Sequence, residues 1–182
     1  MPFEARTLEI KDVLIIKPTV FKDERGQFLE TFKRSSLLEL GIDIPVVQSN
    51  ESRSARGVVR GLHYQLLPHA QGKLVHVISG SIFDVAVDIR KHSETFGKYV
   101  YAILSGDNAE MLWIPEGFAH GFQSLEDDTV VEYKVTREYH RASEGGILWN
   151  DPSIGIKWPL KDARLSAKDA LLPTLDNAEN NF

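Results

Sequence analysis

The sequence predicts an all-β fold, a sandwich or a barrel, with a few short helices. Three observations predict it. The dominant hydrophobic period is two residues. Glycine, aspartate and asparagine punctuate the alternating runs at short intervals. Helical pattern is scarce, which argues against the strand–helix alternation of a parallel sheet. The chain of 182 residues reads as one domain, residues 1–182, large enough to bury a sizeable core.

From the N-terminus, Met1 to Lys11 alternates charge with isolated apolar residues, so no signal peptide is expected. Ser35–Leu40 followed by Gly41 fits a short helix with a glycine after its last turn. In Val58–Gln65 one face of a strand carries Val59, Gly61, His63 and Gln65. In Lys73–Ser79, Lys73 shares a face with Val75 and Val77, and Gly80-Ser81 is a turn signal. Ile82–Arg90 places Phe83, Val85, Val87 and Ile89 on one face, and Asp84, Asp88 and Arg90 on the other. Short β-like runs follow at Tyr99–Leu104 and Glu110–Pro115. Between Pro115 and Phe122, flanking glycines suggest a turn that carries His120 into a cavity. Thr129–Thr136 is a further strand, with Thr129, Val131, Tyr133 and Val135 on one face. Ser166–Leu172 opens on an N-cap serine and stops before Pro173, and residues 173–182 read as a loose polar tail.

Composition narrows the function. With 21 basic and 26 acidic residues the net charge is −5, so nucleic acid is not the expected partner. There are no cysteines, which removes disulfides and thiol chemistry. No apolar run approaches membrane-spanning length, so no membrane partner is expected and a cytoplasmic location is.

Chemistry is located by polar residues on apolar faces. If those faces point inward, His63, Lys73 and Tyr133 project into one pocket from three strands. The set suits deprotonation beside a ketone. Histidine is a general base near neutral pH, a lysine cation stabilises enolate charge, and a tyrosine returns a proton from the opposite face. Asp169 fits two roles: the acid of a capping box in Ser166-Ala167-Lys168-Asp169, or a carboxylate that holds His63.

The runs Arg60-Gly61-Leu62-His63-Tyr64-Gln65 and Ala70-Gln71-Gly72-Lys73-Leu74-Val75 resemble the dTDP-4-dehydrorhamnose 3,5-epimerase family. The likeness runs from Asp23-Glu24-Arg25-Gly26-Gln27-Phe28 through Gln48-Ser49-Asn50, Asp84–Arg90, Thr95-Phe96-Gly97, Ile114–Phe122 and Tyr133-Lys134. It ends with Gly146–Pro152 and Leu165–Asp169. The resemblance implies a cupin-type jelly-roll barrel, a homodimer, no cofactor, and inversion of C3 and C5 in a dTDP-4-keto-6-deoxy sugar. It implies His63 as proton acceptor, Tyr133 as proton donor, Lys73 at the keto oxygen and Asp169 as the partner of His63. Arg60 and His120 would contact the sugar and diphosphate. Arg25, Glu30, Gln48, Ser49, Asn50, Glu144 and Lys168 would complete nucleotide binding, and Tyr139 would stack on thymine.

Many cupins hold a transition metal through a His-x-His pair, a glutamate and a later histidine. Here the pair reads His63-Tyr64-Gln65 and the later element survives as Pro115–His120; two imidazoles with no obvious carboxylate are a poor donor set for a divalent metal, so no metal is expected. The competing functions are a sibling acting at one centre or moving the keto group, a metal-dependent cupin oxygenase, and a non-catalytic sugar-nucleotide-binding module.

Overall fold

A computed structural model describes residues 3–182; Met1 and Pro2, where the stretch read for a leader begins, lie outside the described residues. Among the described residues, thirteen strands, one short α-helix and three 3-10 turns follow one another along the chain. They are β1 (Phe3–Thr7), β2 (Leu14–Pro18), β3 (Val20–Asp23), β4 (Gly26–Leu29), α1 (Arg34–Glu39), β5 (Gln48–Ser54), β6 (Val59–Gln65) and β7 (Lys73–Ser79). Next come β8 (Ser81–Asp88), β9 (Tyr99–Ser105), β10 (Met111–Ile114), β11 (Phe118–Ser124), β12 (Thr129–Val135) and β13 (Glu144–Gly146). One sheet runs β1-β2-β10-β7-β12-β5, the other β13-β6-β11-β8-β9, and β3-β4 stands apart as a hairpin. All pairings within these sheets are antiparallel. The fold is the cupin-like all-β barrel that was expected.

The interior is filled from both sheets: Ile15, Val75, Val77, Leu112, Ile114 and Val131 meet Ile82, Ala86, Val100, Leu104, Phe118 and Phe122. Two further clusters lie outside the barrel. Leu37, Ile42 and Ile44, in and after α1, cover Phe3, Ile16, Leu74 and Met111 on the outer face of the six-stranded sheet. Ile147, Ile154, Ile156 and Leu175 cover Leu62, Tyr64, Phe83, Val85 and Val87 on the outer face of the other sheet. Each fully buried aliphatic side chain of this kind contributes about 1.5–3 kcal/mol, so the covers stabilise the barrel as well as the filling does.

Three local expectations are corrected, and β8 shows which of its two faces is the interior. In β8 the wholly apolar face points outward under the C-terminal cover, and the face bearing Asp84 points into the barrel. A strand buried on both faces does not announce which side is the interior. His120 sits mid-strand in β11, opposite His63 and Ala86, and not on a turn. Ser166–Leu172 yields only a 3-10 turn, Asp169–Leu171, because Asp169 is drawn onto β6 instead of continuing a helix. The tail is packed: Tyr64 Oη donates to the Glu179 carbonyl, Asn181 exchanges two hydrogen bonds with Leu67, and Asn180 Nδ2 donates to the Ile89 carbonyl. Polar side chains that hydrogen-bond to strand ends order a segment that hydropathy alone would leave free. No helix among the described residues is long and apolar enough to cross a membrane.

Candidate active site

At one end of the barrel the apolar filling stops and a cleft of about 700 Å³ opens, lined by His63, Lys73, His120 and Tyr133 among others. Its size is that of a small-molecule site. Register explains the convergence. His63 on β6 lies opposite His120 on β11; Tyr133 on β12 lies opposite Asn50 on β5 and Val75 on β7, with Lys73 one interior position further along β7. Alternation then turns these side chains, with Gln48 and Ser52, to the inner face.

Each imidazole holds a carboxylate. His63 Nε2 lies 2.7 Å from Asp169 Oδ1. Burial would raise the Asp169 carboxyl, but bonding to His63, the Gly61 amide and Ser166 outweighs it and holds the group below the usual aspartate value. The ionised carboxylate takes the Nε2–H and leaves Nδ1 as the basic nitrogen. The Asp169 amide also donates to Ser166 Oγ at 3.0 Å, so backbone and side chain divide the two roles read from the sequence. Deeper in, His120 Nε2 lies 2.6 Å from Asp84 Oδ1, and Asp84 is fully buried. Burial depresses the His120 imidazole despite the carboxylate beside it, so the ring favours its neutral form.

Lys73 is buried, and its Nζ donates to the His63 carbonyl at 3.1 Å. Burial pulls its ammonium down to about 8, while the charges of Asp84 and Glu144 oppose the shift. Tyr133 moves the other way: burial raises its phenol, with a smaller opposing pull from Arg60. A lysine that is still a cation near neutral pH and a tyrosine that keeps its proton are what enolate stabilisation and reprotonation require.

At the mouth, Lys168 Nζ meets Glu144 Oε1 at 2.6 Å, and Tyr139 Oη donates to Glu144 Oε2 at 3.0 Å. Arg60 Nε donates to Ser54 Oγ at 3.1 Å, and Gln48 Nε2 to Asn50 Oδ1 at 2.8 Å. Arg164 also lines the cleft, although sequence reasoning did not select it. Three residues read as nucleotide-binding lie outside the lining. Ser49 takes the other face of β5, where its hydroxyl donates to Glu132 at 2.9 Å. Arg25 and Glu30 belong to the β3–β4 hairpin and its exit, paired with Asp23 and Lys33. Asp84 was missed as a site residue; its signal was an acid set among Phe83, Val85 and Ala86 in mid-strand. Among the described residues no three His, Asp or Glu side chains converge as a metal-ligand set.

Fold and site together define a class: a cupin-like barrel with an acid–base pocket at one end. The chain belongs to the dTDP-4-dehydrorhamnose 3,5-epimerase family, whose model matches residues 7–177. It is 55% identical over 162 residues to the dTDP-4-dehydrorhamnose 3,5-epimerase of Shigella flexneri, covering 88% of this chain and 90% of that one. Among solved structures, it resembles the dTDP-6-deoxy-D-glucose-3,5-epimerase of Legionella pneumophila in complex with dTDP-4-keto-L-rhamnose. The TM-score is 0.93, with 47% identity, covering 96% of this chain and 94% of that one. The dTDP-4-dehydrorhamnose 3,5-epimerase of Sulfolobus tokodaii gives 0.93 with 49% identity, covering all of both chains.

Proposed function

We propose that this enzyme inverts C3 and C5 of dTDP-4-dehydro-6-deoxy-D-glucose, giving dTDP-4-dehydro-L-rhamnose for dTDP-rhamnose synthesis. The observation that carries the reading is the meeting of His63–Asp169, Lys73 and Tyr133 in one cleft. The C4 ketone acidifies the hydrogens on both flanking carbons, so one constellation serves twice. His63 takes the proton, and Lys73 faces the oxygen on which charge develops. Tyr133 protonates the planar enolate from the other side, which inverts the centre. Oxidation state is unchanged, so the chemistry needs no redox cofactor. The acid–base pair accounts for about 10²–10⁴-fold, and charge stabilisation in a dry site carries much of the rest. The nucleotide supplies binding energy that positions the sugar, with Tyr139 stacking on thymine and Arg60, His120, Gln48, Asn50, Glu144 and Lys168 holding the rest.

The acting unit is a homodimer. Arg25 and Glu30, matched to nucleotide binding, sit on a hairpin outside their own cleft, beside Phe21 and Phe28 exposed at 59% and 67%. Such a hairpin serves a second copy better than its own chain. On the outer face of the six-stranded sheet, His76 is buried with an Nδ1 that has no partner, beside half-exposed Ile78, which suits a face covered by another subunit.

The test is incubation of the purified protein with the 4-keto-6-deoxy sugar nucleotide in D₂O, following C3 and C5 by proton NMR. Deuterium at both positions, with a product that a reductase converts to dTDP-rhamnose, supports the reading. Label at one centre only makes the protein a single-centre sibling, and label at neither points to a binding module or a different substrate.

A further inference from the structure

Chain leaving a sheet loses the partners of its backbone groups, and those groups must find others. β12 ends at Val135, and the next residues, Thr136 to His140, carry Tyr139 across the cleft mouth. Three glutamines meet this segment. Gln71 Nε2 donates to the Arg137 carbonyl at 2.7 Å. Gln65 Nε2 donates to the Glu138 carbonyl at 3.3 Å, and Gln65 Oε1 accepts from the His140 amide at 2.7 Å. Gln48 Oε1 accepts from the Tyr139 amide at 2.9 Å. Gln65 has a second tie, since its Nε2 also donates to the His69 carbonyl at 2.6 Å, and the His69 ring stacks on His140 with centroids 3.8 Å apart.

We infer that Gln65 is a positioning residue for nucleotide binding, clamping the Tyr139 segment to the loop after β6 from inside the barrel. The choice of side chain follows from the geometry. The site needs a donor for two carbonyls and an acceptor for one amide, on a side chain only 4% exposed. A primary amide supplies both at once. A carboxylate would place charge beside two carbonyl oxygens, and an imidazole here would have one nitrogen to offer each side at most. The position two residues after His63, a metal-ligand position in many cupins, is therefore occupied by a residue whose polar atoms are all committed to loops. The inference rests on the reading of Tyr139 as the base-stacking residue.

Gln65→Glu and Gln65→Met separate the roles. Both should raise KM for the sugar nucleotide and Kd for dTDP about tenfold while kcat changes less than about threefold, because binding geometry is lost and the acid–base groups are not. In combination with Tyr139→Ala no further loss should appear, since Gln65 acts through that ring. A fall in kcat at unchanged KM, or losses that multiply in the double variant, would overturn the inference. Should both Gln65 variants fail to fold, Gln71→Leu, at the partly exposed end of the same clamp, must raise KM in the same direction, and an unchanged KM would count against it. Amide hydrogen exchange keeps the two ideas apart. Faster exchange at Tyr139 and His140 in Gln65→Met supports the clamp even if Tyr139→Ala alone leaves dTDP affinity unchanged, which would remove only the stacking role. Unchanged exchange rejects the clamp.

Discussion

Asp169 and Lys73 are two residues whose surroundings set their protonation in opposite senses, and each yields a measurable consequence. Asp169 is held ionised by the imidazole, the Gly61 amide and Ser166, and so fixes which nitrogen of His63 is basic. Asp169→Asn keeps the shape but removes the charge that steadies an imidazolium. We expect kcat to fall about 100-fold or more with dTDP affinity nearly unchanged; a variant with normal turnover would leave Asp169 a mere cap on its 3-10 turn. Burial brings Lys73 down to about 8, so its cation persists below that pH and is lost above it. Tyr133 is shifted upward and stays protonated in the same range. The pH profile of kcat/KM should therefore fall about tenfold per unit above about pH 8, and a profile flat to about pH 10 would remove the lysine cation from the mechanism. His63, Lys73 and Tyr133 were legible in sequence because each is a polar residue on an apolar strand face. Asp84 was not: β8 is buried on both sides, so alternation alone does not say which of its faces is the interior. Ser49 was grouped with Gln48 and Asn50 through the family resemblance, although alternation alone separates it from them.

At the scale of elements, the strands with strong apolar alternation were found close to their true limits, while β5 was not. Its sequence, Gln-Ser-Asn-Glu-Ser-Arg-Ser, holds no apolar residue. It is a strand because β12 pairs with it along its whole length, and its inner face is polar because it lines a polar cleft. Hydrophobic period cannot find such an element. The close pairing of β6 and β11 has another requirement that the sequence states only as a glycine. Gly61 adopts φ +127°, and a Cβ there would lie 2.5 Å from Gly121 Cα. Both the backbone conformation and the close approach exclude a side chain. Gly61→Ala should cost about 2–4 kcal/mol of stability in urea denaturation. What folds should also lose turnover, since Gly61 stands two residues before His63 and its amide bonds Asp169. A loss under about 1 kcal/mol would mean that the two strands can part without consequence.

The whole molecule raises a question of supply: the cleft is built by one chain, yet two residues matched to it stand on a hairpin elsewhere. If, as proposed, the unit is a two-fold dimer in which each hairpin serves its partner's cleft, each cleft draws residues from both chains. Mixing distinguishes this from a hairpin that serves its own chain. Arg25→Ala alone should cripple nucleotide binding in both clefts of its dimer, and His63→Ala alone should abolish turnover in both. In a mixed dimer the Arg25→Ala chain keeps its own His63 and borrows Arg25 of the partner subunit, so one cleft is whole while the other carries both lesions. Random reassortment of equal amounts should then restore about a quarter of the wild-type sites. The recovered activity should have the wild-type KM, because the intact clefts are identical to native ones. If each hairpin served its own cleft, every cleft in the mixture would carry one lesion and mixing would recover nothing. Activity that appears only after subunits are allowed to exchange ties the recovery to assembly, and it would place the unit of function in the pair of chains.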